Sequence, residues 1–410
     1  MKNIFRMKSV TLAVAWSFNQ LAYAIVYPFI PIYLSNERGI PYTTVSLIFP
    51  LLGLATIIAP MPCGYLADKF GRSFMMLFGQ AARGAIFFIL ALMVYISAPF
   101  WVFAVLLMIN TMVGAAFQVG GDAYLVDIST EAERPVFYSH IRMGYNLGWA
   151  LGPMLGAFFA DTPFWCFFVG TGLLCMGGTL FTWVNCCEKT SGVRSITPRK
   201  RPAVSGGICK VVLAQEGLFL LLAGALFYFT LSSQLYSTMS VYSVKVVKIS
   251  KEALGSIYSL NGFMVLLLQV PITHWLNRVF SVRKQLLIGI CWYGCGFAAL
   301  GWANGAWWIA GCVAVLTIGE ILVQPSLYTV ISRNAASDNA GRTMAAFSLA
   351  RGVGYAVGPY AGAQLMQHST SPTLLWLTLG SCAAISITVF STSFLRHSPT
   401  SPDSSIATSE

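Results

Sequence analysis

The feature that most constrains the fold is a series of long apolar segments that recurs along most of the chain. Runs of about 20 residues with few charges alternate with short segments that hold most of the charged residues. A run of this length can cross the hydrocarbon core of a bilayer as one α-helix. A soluble chain would carry about 25% charged residues, whereas this 410-residue chain carries 10%. The sequence therefore predicts an all-α integral membrane protein.

Twelve segments have this character, in two groups of six that we number as predicted spans 1 to 12. The first group comprises residues 9–34, 44–66, 74–97, 99–126, 138–160 and 164–185. The second group comprises residues 217–244, 253–275, 285–303, 306–331, 342–366 and 373–394. The two groups predict two domains, residues 1–185 and 216–395, each a bundle of six helices.

A polar segment at residues 186–215 separates the two groups and contains six Lys or Arg residues. Because positive residues collect in cytoplasmic loops, this segment is predicted to be a basic cytoplasmic linker. An even number of spans then places both termini in the cytoplasm, with a disordered tail at residues 396–410. This topology explains the net charge of +11 better than nucleic-acid binding does, since the basic residues do not form one patch.

The two groups of spans share a sequence motif. Residues 148–153 in span 5 read GWALGP, and residues 354–359 in span 11 read GYAVGP. Internal repeats of this kind are frequent in transporters, where two similar bundles rock about a site near the bilayer midplane. The repeat predicts two pseudo-symmetric halves.

A short segment between spans 2 and 3 has the sequence GYLADKFGR at residues 64–72. Gly64 and Gly71 permit a tight turn and close helix approach, while Asp68 and Arg72 can make contacts that lock one conformation. The segment resembles the signature loop of the major facilitator superfamily. Over nearly the whole chain, this resemblance implies twelve transmembrane helices in two six-helix bundles.

The resemblance also implies a conformational latch at this loop. Arg72 is expected to pair with Asp127, at the inner end of span 4, when the transporter faces outward. Asp68 is expected to cap span 11 near Gly341 in the same state, because a helix amino terminus favours a carboxylate.

Two further motifs resemble those of the twelve-span drug:proton antiporters of this superfamily. The first is the pair of prolines in span 1, Pro28 and Pro31. The second resembles the antiporter motif, whose small residues let two helices pack closely. In this chain the antiporter motif consists of Gly148, Gly152, Pro153 and Gly156. One departure is Asn110, which stands where related exporters often carry an arginine in span 4.

Few charged residues fall inside the predicted spans. A charge near the bilayer centre is costly, so each one requires a partner or a function. The candidates are Arg83, Asp122, Arg142, Glu320 and Arg351. Their depths along the spans predict two ion pairs, Asp122 with Arg142 and Glu320 with Arg351.

Glu320 and Asp122 are the candidates for proton coupling. Gly319-Glu320, followed by Gln324-Pro325, resembles the acidic position in span 10 of some multidrug exporters of this group. A buried carboxylate can bind and release a proton as its surroundings change. A purely structural ion pair between Glu320 and Arg351 is the alternative interpretation.

Polar side chains within the spans are candidates for contacts with the transported molecule. They are Asn19, Tyr33, Gln118, Asn146, Gln234, Tyr236 and Asn261. The same groups can instead bond one helix to another. The aromatic content of 14% suits a broad apolar pocket, although Trp and Tyr also collect at membrane interfaces.

The resemblance implies a proton-coupled secondary transporter of the plasma membrane that exports drug-like or amphipathic small molecules by antiport. A permease or exporter of a specific metabolite, such as a sugar, amino acid or siderophore, is the alternative. A receptor or channel is disfavoured by the repeat and the signature loop. No enzymatic activity, cofactor or metal site is predicted, because the four His residues lie at span ends or in loops. We expect a monomer that binds no nucleic acid.

Overall fold

The computed structural model describes residues 2–130, 133–159, 162–186, 216–333 and 340–396, and these residues contain helices but no strand. We number the long helices in chain order, so that each number matches a predicted span. The first half contains α1 (Lys2–Val26), α2 (Ile48–Ile58 and Pro60–Phe70), α3 (Arg72–Tyr95), α4 (Phe100–Ile128), α5 (Arg134–Phe158) and α6 (Phe164–Cys186). The second half contains α7 (Glu216–Ser232 and Thr238–Lys245), α8 (Lys251–Val279), α9 (Val282–Ala299), α10 (Ala306–Arg333), α11 (Ala340–His368) and α12 (Pro372–Arg396).

Most of these helices have the length and composition of membrane spans. In the described part of the chain nine helices qualify, and α2 makes a tenth if its two segments, which meet at 42°, count as one. Helices α5 and α11 are also long, at 25 and 29 residues, but they are less apolar. The predicted all-helical membrane class is confirmed, whereas twelve crossings remain a prediction. Residues 187–215 and 397–410, which hold nearly all of the predicted linker and tail, lie outside the described residues.

The packing of the helices repeats with an offset of six. In the first half α1 packs against α5 and α6, and α3 packs against α4 and α6. In the second half α7 packs against α11 and α12, and α9 packs against α10 and α12. Contacts between the halves follow the same rule, because α5 packs against α8 and α2 packs against α11. The internal sequence repeat therefore has a counterpart in the helix packing.

The repeated sequence motif lies where α5 meets α1 and where α11 meets α7. A Cβ atom added to Gly148 would lie 2.8 Å from the backbone nitrogen of Leu21 on α1. In the second half, a Cβ atom added to Gly354 would lie 3.0 Å from the backbone nitrogen of Thr230 on α7. Only glycine lets the two backbones of each pair approach so closely.

The two halves are packed together at one end of the molecule. At this end Lys251 of α8 forms an ion pair with Glu37, and Nζ of Lys245 donates a hydrogen bond to the carbonyl oxygen of Ser35 at 2.9 Å. The buried residues of α8 lie between Leu254 and Gly262, and beyond that range only Leu276 is buried. The halves are thus closed at the end that carries residues 35–42 and 245–251, and they separate toward the other end.

Candidate functional site

Glu320 lies midway along α10 within a hydrogen-bonded group of the second half. Its Oε2 atom accepts a hydrogen bond from Nδ2 of Asn261 at 3.1 Å. Asn261 is buried; it also donates to Oγ1 of Thr317 at 2.9 Å and accepts from the hydroxyl of Tyr236 at 3.0 Å. Glu320 is half-buried, and no Lys or Arg of the described ranges forms an ion pair with it. Its carboxylate therefore contacts a neutral amide rather than a cation.

The structure does not bring together the two charge pairs predicted within the spans. Nη1 of Arg351 donates to the hydroxyl of Tyr328 at 2.8 Å and does not pair with Glu320. Asp122 and Arg142 are both exposed, and the described side chains show no ion pair between them. Equal depth on two neighbouring helices does not make side chains meet, because each must also lie on the facing side of its helix.

Arg83 lies in the interior of the first half, where only 4% of its surface is exposed. Its Nη1 atom donates to Oδ1 of Asn19 at 2.6 Å, and its guanidinium carbon lies 5.6 Å from the centre of the Tyr23 ring. Nδ2 of Asn110 donates to the backbone carbonyl of Arg83 at 3.4 Å. A Cβ atom at Gly114 would lie 3.3 Å from Cδ of Arg83, so this glycine makes room for the side chain. A buried arginine therefore lies beside α4 at Asn110, but it comes from α3.

Aromatic rings connect the surroundings of Arg83 to those of Glu320 across the boundary between the halves. The ring of Tyr23 contacts the ring of Trp149 with a centroid distance of 6.0 Å. The ring of Trp149 lies 4.7 Å from that of Tyr236, whose hydroxyl bonds the amide partner of Glu320. Of these three rings only Tyr236 was a predicted pocket residue. Trp149 lies within the small-residue motif at residues 148–153, which predicts helix packing rather than a contact with the transported molecule.

The remaining predicted pocket residues have other surroundings. Tyr33 is buried and stacks on a phenylalanine ring of α6 at 4.1 Å. Nε2 of Gln234 donates to a backbone carbonyl of α11 at 2.8 Å, so this side chain bonds α7 to α11. Gln118 is exposed on α4, and Asn146 is half-buried on α5.

The predicted latch residues lie at the junction of α2, α3 and α4. Arg72, the first residue of α3, forms an ion pair with Asp127 and lies 3.6 Å from a carboxylate oxygen of Asp68. Gly71 has φ 95° and ψ 152°, a conformation that favours glycine, so a single residue turns the chain from α2 into α3. Gly64 lies inside the second segment of α2, and most of the predicted loop is therefore helical. The side chain of Asp68 is 76% exposed, and its contact with the start of α11 stays a prediction.

The antiporter motif residues face two different helices. Gly148, Gly152 and Gly156 all face α1, together with Gly144, a fourth member of this row that the motif does not include. Pro153 lies where α5 meets α8. A Cβ atom added to Gly255 of α8 would lie 2.6 Å from the carbonyl oxygen of Pro153. Helix α5 thus packs against α1 within its own half and against α8 of the other half.

Comparisons with known proteins identify the family. The family model described as Major Facilitator Superfamily matches residues 12–359 and, in a second match, residues 221–409. The uncharacterized MFS-type transporter YqjV of Bacillus subtilis (strain 168) is 26% identical over 86% of this chain and 85% of its own length. The multidrug resistance protein MdtH of Proteus mirabilis (strain HI4320) is 25% identical over 92% of each chain.

Solved transporter structures share the fold. A variant of the peptide transporter POT, in complex with alafosfalin, superposes with a TM-score of 0.76 at 16% identity and covers 95% of this chain and 94% of its own. A variant of the nucleoside transporter NupG superposes with a TM-score of 0.73 at 14% identity and covers 94% of this chain and 100% of its own. These identities are low, so the likeness shows the fold alone. With the family model matched along most of its length, this multi-pass membrane protein belongs to the major facilitator superfamily of secondary transporters and is not an enzyme.

Proposed function

We propose that this transporter exports drug-like or amphipathic small molecules in exchange for protons. The observation that carries the proposal is Glu320, a half-buried carboxylate midway along α10 that bonds the neutral amide of Asn261 and has no ion-pair partner among the described residues. Acidic residues inside a membrane mark proton relays and ion pathways, because their charge is costly there. Glu320 is therefore the group that binds the proton.

In this proposal the two halves form two six-helix bundles that rock against each other. The offset of six in the helix packing supports two equivalent bundles. If the Lys- and Arg-rich loops are cytoplasmic, as predicted, the closed end with Lys251 and Glu37 faces outward. The structure then represents a state open to the cytoplasm, both termini are cytoplasmic, and the protein lies in the plasma membrane.

Asp68, Arg72 and Asp127 act as a latch in this proposal. The ion pair of Arg72 with Asp127 ties the start of α3 to the end of α4 within one half. It is formed in this structure, which we propose to be open to the cytoplasm, so the pair is not confined to the outward-facing state in which the resemblance implies it. The exposed carboxylate of Asp68 is available to contact the second half when the open end closes. Asp68→Asn is then expected to leave the protein in the membrane but to stall turnover.

The class of cargo is supported by the relatives and by the ring surfaces. MdtH proteins at 25% identity carry the name multidrug resistance protein. The rings of Tyr23, Trp149 and Tyr236 offer an aromatic surface between the halves, which suits an amphipathic molecule. A permease or exporter of a specific metabolite remains the alternative.

The test is dye transport in proteoliposomes under an imposed pH gradient, with two amphipathic probes, the cation ethidium and the zwitterion dansyl-lysine. Wild type is expected to accumulate dye only when the vesicle interior is acidic, and Glu320→Gln is expected to lose this gradient-driven accumulation. Asp122→Asn tests the second proton-coupling candidate, which is an exposed acid of the first half, and it is expected to keep gradient-driven transport. Loss of that transport in Asp122→Asn but not in Glu320→Gln would assign the proton to Asp122. Unchanged gradient-driven transport in Glu320→Gln would refute the proton role. Failure of wild type to move any amphipathic probe would favour the metabolite permease.

A further inference from the structure

We infer that Arg83 and Asn19 bind an anionic group of the transported molecule, so that the cargo is an amphipathic acid or zwitterion. This inference rests on the proposed transport function and names the chemical class of its cargo. It also gives a role to a buried cation that the proton-coupling proposal leaves without one.

The first argument is that Arg83 is a buried cation without an anion. Its side chain donates from Nη1 to the neutral amide oxygen of Asn19, and none of the described carboxylates forms an ion pair with it. Removing a guanidinium from water costs several kcal/mol unless an anion or a full set of acceptors replaces the water. An anionic group of the cargo would supply the missing charge.

The second argument is that the unsatisfied polar atoms around Tyr23 are all hydrogen-bond donors. Nε of Arg83 and Nδ2 of Asn19 are buried and bond no other protein group. The oxygen of Asn19 already accepts from Arg83, so its amide nitrogen remains a donor. The guanidinium of Arg83 lies 5.6 Å from the centre of the Tyr23 ring. A carboxylate has acceptor oxygens only and fits such a set, whereas an ammonium group does not.

The third argument is the opposite charge in the other half. Arg83 and Glu320 lie near the middle of their helices, and the rings of Tyr23, Trp149 and Tyr236 connect their surroundings. A molecule with its anionic group at Arg83 could lay an aromatic body along these rings and place an amine at Glu320. A simple acid would also be accepted, because a proton can neutralise Glu320 instead.

Access to Arg83 requires one ring to move. The side chains of Tyr23 and Trp149 are only half-buried, and Trp149 contacts a ring of the other half. Displacement of the Tyr23 ring, which lies against Arg83, would open a route from the guanidinium toward Trp149 and the boundary between the halves.

The test is equilibrium binding, by isothermal titration calorimetry, of three probes that share one naphthyl ring. They are the zwitterion 3-(2-naphthyl)alanine, its N-acetyl derivative, which is an anion, and its carboxamide, which is a cation. Wild type is expected to bind both carboxylate probes more tightly than the carboxamide. Arg83→Gln should weaken binding of the carboxylate probes by about 10- to 100-fold, as expected when a hydrogen bond to a charged group is lost, and should leave the carboxamide unchanged. Arg83→Lys should restore part of the loss.

Asn19→Asp is the decisive second variant, because it is nearly isosteric and gives Arg83 an anion within the protein. It should fold even if Arg83→Gln does not, and it should lose carboxylate binding. Equal binding of the carboxylate probes by wild type and Asn19→Asp would overturn the inference, as would a wild-type preference for the carboxamide. These measurements use no pH gradient, so they can fail while the antiport test with Glu320→Gln succeeds, and the reverse also holds.

Discussion

The two halves of this transporter pack their helices in the same way but carry opposite charges near the middle of their helices, Arg83 in the first half and Glu320 in the second. Helix α3 meets α4 at Gly79, where an added Cβ atom would lie 2.9 Å from the carbonyl oxygen of Val113. Helix α9 meets α10 at Gly289, where an added Cβ atom would lie 3.0 Å from the carbonyl oxygen of Gly319. If the two contacts are taken as equivalent, Gly79 corresponds to Gly289 and Val113 corresponds to Gly319.

The alignment shows which positions differ. Four residues after the glycine, α3 carries Arg83 and α9 carries Tyr293. On the partner helices, Gly114 follows Val113 in α4, and Glu320 follows Gly319 in α10. The first half thus places a cation opposite a glycine, and the second half places an acid opposite a tyrosine. The scaffold is repeated, while the chemistry has diverged at equivalent positions, as expected where two halves bind different parts of a ligand.

The largest expected effect concerns the shared scaffold. The side chain added in Gly152→Val would overlap Ala24 of α1, and that in Gly358→Val would overlap Ser233, which follows the first segment of α7. Overpacking costs about 1–3 kcal/mol where neighbours can adjust, and here backbone atoms lie in the way, so we expect both variants to lose the folded protein. The measurement is the yield of monodisperse protein after size-exclusion chromatography in detergent.

Gly177→Val of α6 is the matched control, because a Cβ atom there would meet nothing within 4 Å. If Gly152→Val accumulated as well as this control, the close approach of α1 and α5 would be wrong. If only one of the two variants, Gly152→Val or Gly358→Val, failed to accumulate, the equivalent glycines would contribute differently to stability.

The fold could be predicted from sequence further than the site could. Long apolar runs define helices by themselves, and residues 164–185 were predicted for the helix that spans Phe164–Cys186. The break in α7 at Ser233–Tyr236 was missed, because this stretch contains no glycine or proline. Helix length thus follows from local composition, but an interruption without a breaker residue does not.

Site geometry depends on rotation about each helix axis, which depth in the membrane does not give. Arg142 lies two residues before Gly144, so it points away from the glycine face that packs on α1. The contact of Arg83 with Asn19 joins helices that are not neighbours in sequence, and no local pattern reports it. Only Asn261 and Tyr236, among the predicted pocket residues, share the hydrogen-bonded group of Glu320.

An intermediate effect is expected where the third helix of each half begins. In the first half Arg72 pairs with Asp127, whereas in the second half Nε2 of the buried Gln285 donates to Asn277 at 3.0 Å and to the carbonyl of Phe280 at 2.8 Å. Arg72→Gln and Asp127→Asn should slow transport, with a coupling energy of about 0.5–3 kcal/mol in a double-mutant cycle. Gln285→Ala should lower the free energy of unfolding by about 1 kcal/mol.

Ionic strength should affect the Arg72 junction and the Gln285 junction differently. The partly exposed ion pair of Arg72 should weaken as ionic strength rises, because counterions screen exposed charges. The amide bonds of Gln285 carry no charge and should not respond. Additive effects of Arg72→Gln and Asp127→Asn, or equal salt responses at both junctions, would contradict this difference between the halves.

The smallest expected effect concerns the ion pair that joins the halves at the closed end. Lys251 and Glu37 have side chains that are 27% and 39% exposed, and pairs of this kind contribute about 0.2–1 kcal/mol. Gly255 of α8 packs against Ala157 at the same end, so close that an added side chain would overlap it. We therefore expect Lys251→Gln to change the open fraction of this end by less than about fivefold, measured by the distance between spin labels on the two halves.

Gly255→Val should open the end more than Lys251→Gln does. A larger response to Lys251→Gln than to Gly255→Val would show that charge, and not close packing, holds the halves together.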